Sequence, residues 1–230
     1  MFPVNLMSFA GRFFLAFGLL ALGLFFAAKS LSSVALWGAT NRIDAFVSHP
    51  QSPPHVFHSE VVQALEMVQL ATPRDPTVLY ELARADLLAA EHVEEGRGQL
   101  IFSAEARLQE AIGLDARCGM CRLLLAYVRS FLGYPTHVIE NDLMQSVLLL
   151  GREGYAIAAI AKVASLNWAR LSEGAKAKLV QVFAFHLPHS REVIVSNLQR
   201  NGVWVLIEQN VTAERARQSE GLRHAFGILQ

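Results

Sequence analysis

Ala104-Glu-Ala-Arg-Leu108-Gln-Glu-Ala111-Ile-Gly-Leu114-Asp115 reads as the end of one amphipathic helix and the approach to another. Ile101, Ala104, Leu108, Ala111 and Ile112 recur at intervals of three and four, which puts them on one face of a 3.6-residue period. Leu114-Asp115 then caps a further helix carrying Leu123, Leu124, Ala126, Tyr127 and Phe131, and Gly133-Tyr-Pro135 closes it. Two amphipathic helices separated by a tight turn bury their apolar faces against each other, so the unit is a helix pair.

The same pattern extends in both directions. Upstream, Ser59 is a candidate N-cap for a stripe of Val61, Val62, Leu65, Met67, Val68 and Leu70 that ends before Pro73. Asp75-Pro76 supplies a cap and a first-turn proline for the next helix, with Leu79, Leu82, Ala83 and Leu87 on one face. Glu91-His-Val-Glu-Glu-Gly-Arg-Gly98 is polar and glycine-broken, and reads as a loop. Downstream, Asn141 to Leu150, Tyr155 to Leu171 and Gly174 to His186 are apolar-periodic, with Gly151, Gly154, Ser172 and Pro188 as punctuation. Glu192 to Leu198 and Thr212 to Phe226 add two more helices, and Val203-Trp-Val-Leu-Ile207 is the one run that fits helix or strand equally. The expected fold class is all-α.

The stretch from Ala104 to Asp115 resembles the second helix of a tetratricopeptide repeat and its terminal turn. Leu125-Ala126 with Gly133 matches the Leu-Gly pair and closing glycine of the next first helix, and Leu82-Ala83 sits in an equivalent place upstream. The likeness covers roughly residues 76 to 150. It departs from the pattern at Ala116, where proline is usual, and at Arg122, where an aromatic is usual; the interval from Leu82 to Leu125 is also longer than the usual period. What the resemblance implies is a solenoid of antiparallel helix pairs that offers a surface to protein partners.

Phe13-Phe-Leu-Ala-Phe-Gly-Leu-Leu-Ala-Leu-Gly-Leu-Phe-Phe-Ala-Ala28 carries no charge and follows a tail whose only basic side chain is Arg12. A spanning helix needs about 20 apolar residues, which Leu31, Val34, Ala35, Leu36 and Trp37 extend this run to supply. Lys29 can snorkel and Trp37 suits an interface. The expectation is a tail and transmembrane anchor over residues 1–40, a Pro-rich linker over 41–58 and an exported helical domain over 59–230. The short tail stays in the cytoplasm, which makes the chain a single-pass protein of a bacterial inner membrane with a periplasmic body. A removable signal peptide ending near Ser33-Val-Ala35 is the competing reading, and it too exports the rest.

The 20 basic and 20 acidic residues cancel, without a basic block, so no nucleic-acid partner is expected. Cys118-Gly-Met-Cys121 is the sharpest local motif: an intrahelical disulfide, free thiols or a redox pair are all open to it. His49, His55 and His58, and separately His186 and His189, could hold a metal only if folded together. Trp168 and Trp204 either line a glycan surface or pack in the core. Asp86, Glu91, Glu94 and Glu95, and Glu140 with Asp142, read as solvated helix ends and loop edges, since a carboxylate pair for glycoside hydrolysis must face across a cleft. Asn210-Val-Thr212 is a formal sequon, discounted for a bacterial chain. Phosphate loop, zinc-protease and nucleophile-elbow motifs are missing.

The expectation is therefore no enzyme, no catalytic residues, no cofactor and no metal. The layout of span, Pro-rich neck, helix pairs and then Ala161-Lys-Val-Ala-Ser-Leu-Asn-Trp-Ala-Arg-Leu171 is similar to small membrane-anchored repeat proteins of bacterial exopolysaccharide systems. That resemblance implies an interaction scaffold in envelope assembly. The bilayer is a partner through Phe13 to Leu36, and the alternative is an accessory whose groove binds or processes glycan.

Overall fold

The computed structural model describes residues 4–48 and 53–225, with side chains described from Leu19 to Gly221 apart from Leu24, Phe25, Ala28, Ser48 and Pro54 within those spans. All regular structure in the described residues is helical. Nine α-helices follow in order among them: α1 Val4–Ser48, α2 Pro54–Ala71, α3 Pro76–His92, α4 Arg97–Leu114, α5 Gly119–Phe131, α6 Thr136–Leu150, α7 Ile157–Asn167, α8 Glu173–Gln199 and α9 Val203–Ala225. Short 3-10 turns, Gly154–Ala156 and Trp168–Arg170, flank α7. The chain divides into two compact units, Met1–Leu100 and Ile101–Gln230.

In the first unit α1 packs on α2, and both contact α3. Ala39, Ile43 and Phe46 of α1 interlock with Phe57, Val61, Leu65 and Val68 of α2 and with Val78, Leu82 and Ala85 of α3. Phe46 stacks on Phe57 with ring centroids 4.0 Å apart. This core explains a difference from the expected linker over 41–58. Ile43 and Phe46 bury apolar surface worth about 1.5–3 kcal/mol each, and so hold α1 helical as far as Ser48. Pro54, with φ pre-set for a first helical turn, starts α2 upstream of Ser59. Ser59 is thus not a cap, and its hydroxyl bonds back to the Val56 carbonyl at 3.0 Å. His49 and most of the Pro-rich stretch, residues 49–52, lie outside the described residues.

The start of α3 follows the sequence pattern. Asp75 accepts the Thr77 N–H at 2.9 Å and Pro76 occupies the first helical position.

The second unit buries a larger core around Ile139, Leu143, Ile157, Ile160, Leu179, Phe183, Ile194 and Leu198. In it α5 packs on α6, α7 on α8 and α8 on α9, with further contacts of α5 to α7 and of α6 to α8. The cap of α5 falls three residues later than Asp115. The Asp115 carboxylate accepts the Arg117 N–H in a turn, and Cys118 is the N-cap, its Sγ accepting the Cys121 N–H at 3.2 Å. At Gly119 a Cβ would lie 2.6 Å from Leu150 Cγ, so any side chain there would displace Leu150 where α5 starts against α6.

Two boundaries shift for physical reasons. Pro188 lacks an N–H and crowds the carbonyl one turn back; the backbone leaves helical geometry at Ser190, yet Ile194 and Leu198 stay in the core, so α8 kinks instead of ending. Val203 to Ile207 is helical, because Val203, Trp204, Ile207 and Val211 are buried at helical spacing while Val205 and Leu206 face solvent. Gly202, at φ 68°, makes the turn that lets α9 start before Thr212. Phe226, the expected end of that helix, lies outside the described residues.

Candidate functional site

The densest polar chemistry in the second unit is a buried clasp. Arg129 on α5 donates from Nε to Glu105 Oε1 on α4 at 3.1 Å and from Nη1 to Asp142 Oδ2 on α6 at 2.6 Å. Tyr134 donates its hydroxyl to Glu105 Oε2 at 3.2 Å, and its ring lies 5.2 Å from the guanidinium. Gln109 donates to Glu105 as well. Burial pushes the Asp142 carboxyl above the usual carboxylate range against the attraction of Arg129. The bond to Glu105 raises the Tyr134 hydroxyl. Glu105 and Asp142 thus face each other only across an arginine that keeps its charge. With a cation between them, the pair fastens three successive helices and does not present two free carboxylates across a cleft, as glycoside hydrolysis requires.

A second clasp closes the first unit. Arg84 on α3 reaches Asp44 on α1 at 2.7 Å and both oxygens of Glu81 at 2.9 and 3.2 Å. Burial raises the Glu81 carboxyl, opposed by Arg84. Nearby, His58 Nε2 lies 2.9 Å from Asp86 Oδ1, which is 2% exposed. Asp86 is therefore a buried carboxylate in contact with His58 and not the solvated helix end expected.

Two concave regions stand out among the described residues of the second unit. A groove of about 540 Å³ between α6 and α8 is floored by Val147, Leu148, Leu149, Val182 and Phe185 and rimmed by Arg152, Glu153, Lys178 and Gln181. A polar cleft of about 650 Å³ is lined by Thr136, His137, Glu140, Asn141, Met144, Arg170 and Ser172. Its groups hold one another: Glu140 accepts the Ser172 N–H and hydroxyl at 2.7 and 2.6 Å, and Arg170 donates to the Tyr134 carbonyl and the Thr136 hydroxyl. Glu140 is a tertiary brace for the start of α8, which Ser172 caps through Ala175 N–H.

The remaining candidates scatter. Cys118 and Cys121 are bridged, with Cα atoms 5.3 Å apart. His55 is exposed, His186 bonds the Gly151 carbonyl and His189 is exposed immediately before the Ser190 kink. Among the described residues no three His, Cys, Asp or Glu side chains converge on a metal position. Trp168 and Trp204 are core residues. Glu91, Glu94 and Glu95 are exposed, as expected.

Sequence reasoning missed Arg129 and Glu105. Their one signal was position: Arg129 follows Ala126 and Leu125 on the apolar side of α5, and Glu105 adjoins Ala104 and Leu108 on that of α4.

Among the described residues no helix is long and apolar enough to cross a membrane; Arg12 and the start of the expected span, Phe13 to Gly18, carry side chains outside that description. Compared with family models, curated proteins and solved structures, the chain matches none.

Proposed function

We propose that this chain is a membrane-anchored helical scaffold, with α1 crossing a bacterial inner membrane once and the body in the periplasm, where tetratricopeptide-like helix pairs hold protein partners of an exopolysaccharide or related envelope assembly. The observation that carries it is α1 itself. It is one helix of 45 residues, about 67 Å long at 1.5 Å per residue. Its described N-terminal side chains Leu19, Leu20, Leu22 and Phe26 are all exposed, where water would penalise them and lipid would not. Arg12 keeps the tail cytoplasmic.

The scaffold role is supported by where the polar groups go. The buried carboxylates of both units are bound by arginine, histidine or tyrosine, which serves rigidity and not proton transfer. The groove between α6 and α8 leaves Leu148 and Phe185 exposed beside Arg152 and Lys178, a composition suited to a peptide surface. The alternative glycan role needs several exposed aromatics in one concave surface; Trp168 and Trp204 are buried, and Phe185 is the one aromatic lining the groove between α6 and α8.

Reporter fusions after Gln230 test the topology. Activity is expected from a periplasmic reporter such as alkaline phosphatase and none from a cytoplasmic one. The converse pattern would overturn the export of the body, and a chain recovered entirely in the aqueous fraction after carbonate extraction would overturn the anchor.

A further inference from the structure

We propose that the first unit sits directly on the bilayer, with Leu70 and Met67 at the end of α2 inserted at the lipid boundary and Lys29 and Arg74 on the headgroup phosphates. This rests on α1 being the anchor. The register of α1 against α2 carries it. Phe46 stacks on Phe57, and Arg42 lies 3.7 Å from Glu60, so the two helices run antiparallel from a shared end. Equal steps of about 1.5 Å along both helices from that contact set Met67 level with Leu36 and Leu70 level with Ser33.

The height of the lipid boundary follows from length. The uncharged run from Phe13 to Ala28 covers about 24 Å, whereas the hydrocarbon core is about 30 Å thick. Arg12 closes one end of the run, so about four residues past Ala28 are drawn into the apolar layer to make up the difference. That brings its edge close to the level of Ser33, and therefore of Leu70. The local chemistry agrees. Ser30 and Ser33 bond back to the Phe26 and Lys29 carbonyls at 2.9 and 3.0 Å, so neither hydroxyl enters lipid unpaired.

Around this level the unit exposes large apolar side chains on both helices: Leu31 at 71%, Val34, Trp37, Met67 and Leu70 at 85%. Lys29 and Arg74 are exposed there, without an ion-pair partner among the described residues. Asp75, the acid in the same turn, is held on the Thr77 N–H. Glu66 lies nearly level with Trp37, on the outward side. Lys29 lies about 6 Å to the lipid side of the Ser33 level and Arg74 just beyond the end of α2, so each reaches the headgroup phosphates by extending its long side chain outward past the apolar tips.

The test uses the full chain reconstituted in vesicles of phosphatidylethanolamine and phosphatidylglycerol. Leu70→Cys, Met67→Cys, Gln63→Cys and Leu20→Cys are labelled one at a time with an environment-sensitive nitrobenzoxadiazole dye; the bridged Cys118 and Cys121 leave the introduced thiol as the one that reacts. All four positions are exposed, so the substitutions leave the core intact. Gln63 lies about 10 Å farther from the membrane than Leu70. The expected result is blue-shifted emission that brominated lipid quenches at 70 and 67, as at 20, with water-like emission quenched by iodide at 63. A label at 70 that behaves like the one at 63 while the label at 20 is lipid-quenched would overturn the docking and leave the anchor standing. A label at 70 shielded from both quenchers would mean that protein covers the site, which also overturns it. A water-like label at 20 would instead overturn the anchor.

Discussion

Arg129 is the most consequential polar residue in the second unit, because it separates two carboxylates that the fold takes out of water. Removing it leaves Glu105 and Asp142 buried side by side, and breaking a buried pair in this way costs about 3–5 kcal/mol. Arg129→Met, which keeps most of the side-chain volume, is expected to lose that much in urea denaturation of the micelle-bound chain. A loss below about 1 kcal/mol would mean that the clasp is solvated. Asp142 adds a pH signature. Its carboxyl titrates above the usual range because burial outweighs Arg129, so the folded chain binds that proton more tightly than the unfolded chain. Its contribution to stability is therefore gained as pH falls through the folded pKa, and it is complete below the ordinary Asp range. The stability of the wild-type chain relative to Asp142→Asn should rise on going from neutral to acid pH. The opposite slope would show that the attraction of Arg129 prevails.

Among the helices, α1 has two roles along its length. Its N-terminal part is the expected anchor, while Ala39, Ile43 and Phe46 near its C-terminal end belong to the core of the first unit. A fragment starting at Ser59 therefore lacks one wall of that core and bares Val61, Leu65 and Val68. It is expected to self-associate and bind hydrophobic dye in size-exclusion and fluorescence measurements. A fragment starting at Ser30, in the same mild detergent, is expected to melt cooperatively as a monomer. Equal behaviour of the two would remove α1 from the fold. Ile43→Ala in the full chain is expected to cost about 2–5 kcal/mol, since the side chain is fully buried. The kink in α8 shows the same economy of one element: Pro188 bends the helix, and Ile194 and Leu198 beyond the bend still reach the core.

For the scaffold proposed above, the disulfide would be an accessory. Cys118 and Cys121 close a very short loop at the start of α5, where a bridge adds at most about 2 kcal/mol. Cys118→Ser with Cys121→Ser in the full chain should leave helical content, membrane location and polymer output intact, with a small fall in melting temperature. Abolished output from a folded, membrane-bound double variant would replace scaffolding with a redox role.

The helical class was legible from residue spacing, because burial on one face imposes the same three-and-four interval wherever it occurs: Leu79, Leu82 and Ala83 in α3, and Ala104, Leu108 and Ala111 in α4, are all buried as that interval requires. The cap of α3 was equally local, since Asp75 and Pro76 need only their own backbone to act. What spacing could not carry is the partner of each face. Whether residues 41–48 formed a neck or a core depended on Phe57 and Val61 arriving opposite Phe46 and Ile43. Whether Trp168 and Trp204 faced a ligand or the interior depended on which helices close over them. Arg129 looked like one more surface charge until Glu105 and Asp142 converged on it from two other helices. Backbone conformation is set within a few residues of itself, but burial and ion pairing are properties of groups that the chain brings together from far apart.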